Sequence, residues 1–183
     1  MKRISLLLLA LVVCFATAMQ AQVPAPKPDP EVKKLQAVLG HWTFEGEQKP
    51  GPLGPAGTLT GERTCQMILG GFFVQCRYTV KTPAGEVRML EVRGYDPVNK
   101  NFFGEQYSDN GARTSSVLTI TGNTWTLAGK LVTAGKQYQV KGTFELAPDL
   151  ASATFKSEIS VDGETWTPFR ESRYTKVPPA TKK

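Results

Sequence analysis

The sequence predicts an all-β protein, a single antiparallel barrel of ten strands preceded by a short helix. Three observations lead there. From His41 onward the chain is a succession of β-rich runs in which apolar and polar residues alternate, with no second stretch of helical period. Almost every break between runs carries turn chemistry: Gly70-Gly71, Pro83-Ala84-Gly85, Asp96-Pro97, Asp109-Asn110-Gly111, Gly122-Asn123, Ala134-Gly135, Pro148-Asp149 and Asp162-Gly163. The 17 Gly and 13 Pro among 183 residues favour many turns over long helices. A meander of sequential strands leaves two exposed edges unless it closes, so a barrel is expected rather than an open sheet.

Residues 1–21 read as a secretory signal peptide. Lys2 and Arg3 form a positive start, Ile4 to Ala18 is apolar, and Ala16-Thr17-Ala18 fits the small-x-small cleavage rule, with Ala21 as the alternative cut. The apolar stretch is short for a membrane span, and none remains after cleavage. Cys14 is preceded by Val13 and followed by further apolar residues, which disfavours a lipoprotein anchor. A periplasmic or secreted protein is expected. Residues 22–30 form a linker rich in proline (Pro24, Pro26, Pro28), residues 31–176 the barrel domain, and residues 177–183 a flexible basic tail. Removing Lys2 and Arg3 leaves 20 basic against 16 acidic side chains, a net charge of +4. No basic stripe with interleaved aromatics occurs, which argues against nucleic acid as a partner.

The helix begins at Asp29, a suitable N-cap, with Pro30 at the first helical position and Gly40 just past the end. Val32, Leu35, Val38 and Leu39 give it an apolar stripe that would plug one end of the barrel. Strands are predicted over 41–47, 58–69, 72–81, 86–95, 101–108, 113–121, 123–129, 136–146, 151–161 and 166–176. Around Gly70-Gly71, read as a two-residue hairpin turn, Cys65, Met67, Leu69, Phe72, Val74, Cys76, Tyr78 and Val80 fall on one face and Gln66, Gln75, Arg77 and Thr79 on the other, with Ile68 and Phe73 near the turn. Cross-strand partners about that turn sum to 141, which sets Cys65 opposite Cys76. A disulfide is expected there, two buried free thiols being the alternative.

Two strands break the alternation. In 86–95 the face of Val87, Met89 and Tyr95 also holds Glu91 and Arg93; in 101–108 Phe103 and Tyr107 share a face with Glu105. If these faces point inward, Met89, Glu91, Arg93, Phe103, Glu105 and Tyr107 line a partly polar cavity and are the candidate ligand-binding residues. The alternative is an outer face with ordinary cross-strand ion pairs. Asp96 and Asp109 read as turn stabilisers. His41 is the one histidine, so a zinc site lacks ligands and no cofactor is expected.

Gly40-His41-Trp42, just after a short helix, resembles the entry of the calycin barrels, the lipocalins and fatty-acid-binding proteins. That likeness implies that Trp42 plugs the closed end and that a basic residue of the last strand, Arg170 or preferably Arg173, stacks on it. Gly94-Tyr95-Asp96, Lys100, Phe102-Phe103 and Tyr107 through Ala112, with Gly70-Gly71, Asp162 through Trp166, Glu171 and Tyr174, resemble a bacterial family of unknown function, number fifteen seventy-nine, over residues 35–176. The resemblance implies a lipocalin-like barrel and carries no established activity. The related nitrobindin-like barrels hold haem through a late histidine, which this chain lacks. The function expected is non-enzymatic binding of a small, largely apolar molecule. The alternatives are a filled barrel acting through its surface as an envelope or protein-interaction module, and a carboxylate-dependent enzyme. The oligomeric state is left open.

Overall fold

The computed structural model of the protein describes residues 25–179. The expected signal peptide, the first residues of the linker and the last four residues of the tail lie outside the described residues.

The Asp29 carboxylate accepts a hydrogen bond from the Glu31 amide at 2.9 Å, and Pro30 sits where a helix has no use for an N–H. The segment winds as a 3₁₀ helix, Pro30–Val38. Its buried residues, Val32, Leu35 and Val38, are spaced by three, which stacks them in one line at three residues per turn. That line packs against the third and fourth strands. The helix leads straight into Trp42, which is fully buried and donates its indole N–H to the Val38 carbonyl at 3.0 Å.

Ten strands follow: β1 Gly40–Gln48, β2 Gly57–Ile68, β3 Phe73–Thr82, β4 Gly85–Asp96, β5 Asn101–Ser108, β6 Arg113–Thr121, β7 Thr124–Thr133, β8 Lys136–Leu146, β9 Ser152–Ser160 and β10 Thr167–Val177. Each pairs antiparallel with its sequence neighbours, and β10 pairs with β1 from His41↔Val177 to Gln48↔Arg170, so the sheet is a closed barrel. The expected fold class is the observed one. Strand β7 runs four residues beyond its predicted end because Leu131 is buried, and it stops at Ala134-Gly135, both at positive φ (48° and 73°), as a type I′ hairpin requires.

The Gly70-Gly71 connection differs in detail from expectation. Pairing ends at Ile68↔Phe73, and the loop between spans four residues, with Leu69, Gly70 and Gly71 all at positive φ. Lengthening a loop symmetrically leaves the register unchanged, so Cys65 still faces Cys76, their Cα atoms 4.1 Å apart, and the two form a disulfide.

Buried side chains fall into two clusters. The larger runs from the helix and Trp42 through Phe44, Tyr78, Trp125, Phe144 and Tyr174; the smaller, Ala112, Leu131, Ile159 and Phe169, lies toward the opposite end with Leu53 packed on it. Closing the Cys65–Cys76 loop removes chain entropy from the unfolded state. The Cys65→Ser/Cys76→Ser double variant should therefore lose about 2–3 kcal/mol in urea unfolding relative to the oxidised protein. An unchanged midpoint would mean that the hairpin is held without the bridge.

Candidate functional site

The interior is polar at its centre. Glu91 on β4 is buried and accepts two hydrogen bonds, one from the Tyr78 hydroxyl at 2.6 Å to Oε2 and one from Arg93 Nε at 2.9 Å to Oε1. Cross-strand register sets this up. Glu91 faces Cys76 and Arg93 faces Val74, both inward positions of β3, while Tyr78 lies two residues along the same inward row. Burial pushes the Tyr78 phenol well above its usual value and the neighbouring Glu91 charge adds to this, so Tyr78 stays a donor. Burial opposes the Arg93 charge, but the Glu91 charge and hydrogen bond together with Tyr78 and Tyr174 more than offset it, and Arg93 is held protonated above the Trp125 ring, 5.6 Å from its centroid.

Arg63 on β2 lies beside this trio, opposite Tyr78 in register. Its guanidinium stands 5.1 Å from the Trp42 ring, 4.9 Å from Phe144 and 4.6 Å from Tyr174. It is 2% exposed, and its Nε and Nη2 have no hydrogen-bond partner among the described residues. Arg170 on β10 donates Nε and Nη2 to the neutral Gln48 Oε1 at 3.0 and 2.7 Å, and burial disfavours its charge. The Tyr174 phenol, raised chiefly by burial, feels the charges of Arg63, Glu91, Arg170 and Arg93.

These groups border a cavity of about 170 Å³ in the barrel interior, otherwise lined by residues such as Leu59, Met89, Leu118, Trp125, Leu127 and Leu131 together with Gln106, Ser116 and Ser172. Lys141 touches its edge but is paired with Glu158 at 3.0 Å and is half-exposed. Both Glu91 oxygens are engaged, so the carboxylate is not a free general base. Among the described residues no three His, Cys, Asp or Glu side chains gather into a metal site.

The family model described as a protein of unknown function, DUF1579, matches residues 27–176. The chain belongs to the DUF1579 family. Fifteen chains of known structure match it. One is the crystal structure of Rv2717c from M. tuberculosis, with a TM-score of 0.61 and 12% identity, covering 83% of this chain and 100% of that one. At that identity the likeness shows a shared fold. No curated protein matches the chain.

Of the six candidate lining residues in this DUF1579 barrel, Met89, Glu91 and Arg93 border the cavity. Phe103, Glu105 and Tyr107 do not. Strands β4 and β5 pair Asp96↔Asn101, hence Arg93↔Gly104 and Tyr95↔Phe102, so the inward face passes from odd positions on β4 to even positions on β5. Phe103 packs on the outer wall 6.3 Å from Phe73, Glu105 accepts from the Ser115 hydroxyl at 2.6 Å, and Tyr107 is exposed. Arg173 does not stack on Trp42 either: β10 turns Arg170, Ser172 and Tyr174 inward, and Arg173, opposite Glu45, is exposed. Arg63 and Lys176 take that place, Lys176 Nζ lying 5.3 Å from the ring. His41 is on the outer face, within 3.1 Å of the Thr64 hydroxyl.

Asp96 accepts from the amides of Val98 and Asn99 and from the Asn99 side chain; Asp109 accepts from the amide and Nε of Arg88. Hydrogen bonding holds both carboxyls below their usual value. Their stabilisation is present above the ordinary carboxylate pKa and is lost as pH falls through the lowered folded values, so Asp109→Asn should flatten the fall of Tm with acid below about pH 4. An acid limb identical to the wild type would show that Asp109 does not couple to folding.

Arg63 is not among the residues predicted from the sequence to line the cavity; the signal that marks it is a charge sharing the parity of the apolar Leu59, Cys65 and Met67. Removing the partner of a buried charge costs far more than the pair contributes. Arg93→Met should destabilise by about 3–5 kcal/mol and Tyr78→Phe by about 1–3 kcal/mol, read by urea unfolding. Losses below 1 kcal/mol in both would mean that Glu91 is solvated in the native state.

Proposed function

We propose that this protein is a non-enzymatic, lipocalin-like binding module that takes up one small, largely apolar molecule in its barrel. The carrying observation is the cavity of about 170 Å³, mostly apolar in its lining with a few convergent polar groups. An apolar cavity of about 150 Å³ in another protein accommodates benzene, so the space suits a single ring or a short chain and is too small for a haem or a long acyl chain. The engaged carboxylate of Glu91 favours binding over acid–base catalysis. The Cys65–Cys76 disulfide supports a periplasmic or secreted location, and no helix among the described residues is long and apolar enough to cross a membrane.

Leu118 is buried on the cavity wall. Leu118→Trp should fill the space at a cost of about 1–3 kcal/mol in stability. Wild-type protein titrated with benzyl alcohol or toluene should show saturable quenching of the lining Trp125 and a rising Tm; the variant should show neither. Equal responses from the two proteins, or none from the wild type, would contradict an interior binding site.

A further inference from the structure

The interior charge does not balance. The cavity is bordered by three guanidinium groups, Arg63, Arg93 and Arg170, and by one carboxylate, Glu91. Arg93 consumes that carboxylate in a direct pair at 2.9 Å. Arg170 has only a neutral amide oxygen to donate to, and Arg63 has two donors with no partner among the described residues, its charge resting on three aromatic faces. A buried charge without a counter-charge is costly, and cation–π contacts with aromatic faces offset only part of that cost. The rest of the cavity wall, including Leu118, Leu127 and Leu131, offers an apolar surface.

We propose that the ligand is a small organic anion, a monocarboxylate whose body is a single ring or short chain, with its charged end on Arg170, favoured by the positive charge that Arg63 adds to the interior, and its body against the leucines. A guanidinium presents a planar fork of donors that matches a carboxylate, which a lone ammonium does not. The positive excess selects the sign of the ligand, and the volume limits its size. Glu91 opposes the anion and tempers the field, so its removal should tighten binding. This inference rests on the interior-binding reading of the preceding subsection and adds the charge of what is bound.

The test titrates the full exported chain with benzoate and with its neutral isostere benzamide, following Trp fluorescence and calorimetric heat. Benzoate should bind at least tenfold more tightly than benzamide. Arg170→Gln should weaken benzoate at least fivefold and leave benzamide unchanged, and Glu91→Gln should strengthen benzoate severalfold. Arg170→Gln also serves if Arg63→Gln fails to fold, because Arg170 lies outside the aromatic cage. Equal affinities for benzoate and benzamide would overturn the anion inference while leaving the binding reading standing. Binding of neither would overturn both. Full benzoate affinity in Arg170→Gln, with no gain in affinity in Glu91→Gln measured separately, would place the anion outside the barrel and overturn the inference.

Discussion

Ring closure between β1 and β10 is the constraint on which the rest depends. Until Gln48 meets Arg170 and Phe44 meets Tyr174, the sheet has two edges and no defined inside. Once it closes, alternate residues of ten strands share one interior, and a single register error anywhere would turn a whole strand's apolar row to water. The contacts that define the site cross this seam. Tyr174 from β10 stacks with Phe44 from β1 and against Arg63 from β2, residues more than a hundred positions away in the chain. The helix covers the end beside Trp42, and Leu53 packs on the smaller apolar cluster toward the other.

A barrel of this width has more interior than its side chains fill, and this one spends part of the space on glycine. Gly61 lies inward beneath the Phe44 ring, where an added Cβ would strike both the ring and the Thr79 carbonyl. The ring can therefore lie flat against the wall and leave room at the centre. The polar residues occupy that centre, between two apolar clusters. Their arrangement is graded: Glu91 is fully satisfied, Arg170 is bonded only to a neutral group, and Arg63 is held by π faces alone among the described residues. A core built for stability alone would replace such groups with well-packed hydrophobes, which is commonly neutral or stabilising. Their presence beside a cavity is what the proposed binding function accounts for.

The fold was legible because its signals are local. Turn residues mark the breaks, and strands such as β3 and β8 alternate so cleanly that their inner faces can be read directly, as Val74, Cys76, Tyr78 and Val80 show. The disulfide followed from register about one hairpin. The site was half legible. Strand β4 disclosed Met89, Glu91 and Arg93 because charges interrupt an otherwise apolar row. Strand β5 misled because Phe102 and Phe103 put an aromatic on each face, so parity alone could not choose between them; the four-residue connection 97–100, which pairs odd with even positions, makes the choice. Arg173 misled for a related reason. The bulge at Pro168/Arg170 resets β10 against β9, and the inward row follows the pairing with β1. The aromatic cage of Arg63 is assembled from β1, β8 and β10, and no local pattern records such a meeting.

The central claim is that the interior is a binding site for a small anion, and methyl-labelled NMR during a benzoate titration tests it most directly. Leu118 faces inward while its neighbour Val117 is exposed on the outer wall, so adjacent residues report on opposite sides of one strand. The account predicts saturable shifts at the methyl groups of Met89, Leu118, Leu127 and Leu131, with Val117 and the exposed Leu69 unmoved. Shifts confined to Val117 or Leu69, or no shifts at any benzoate concentration, would contradict it.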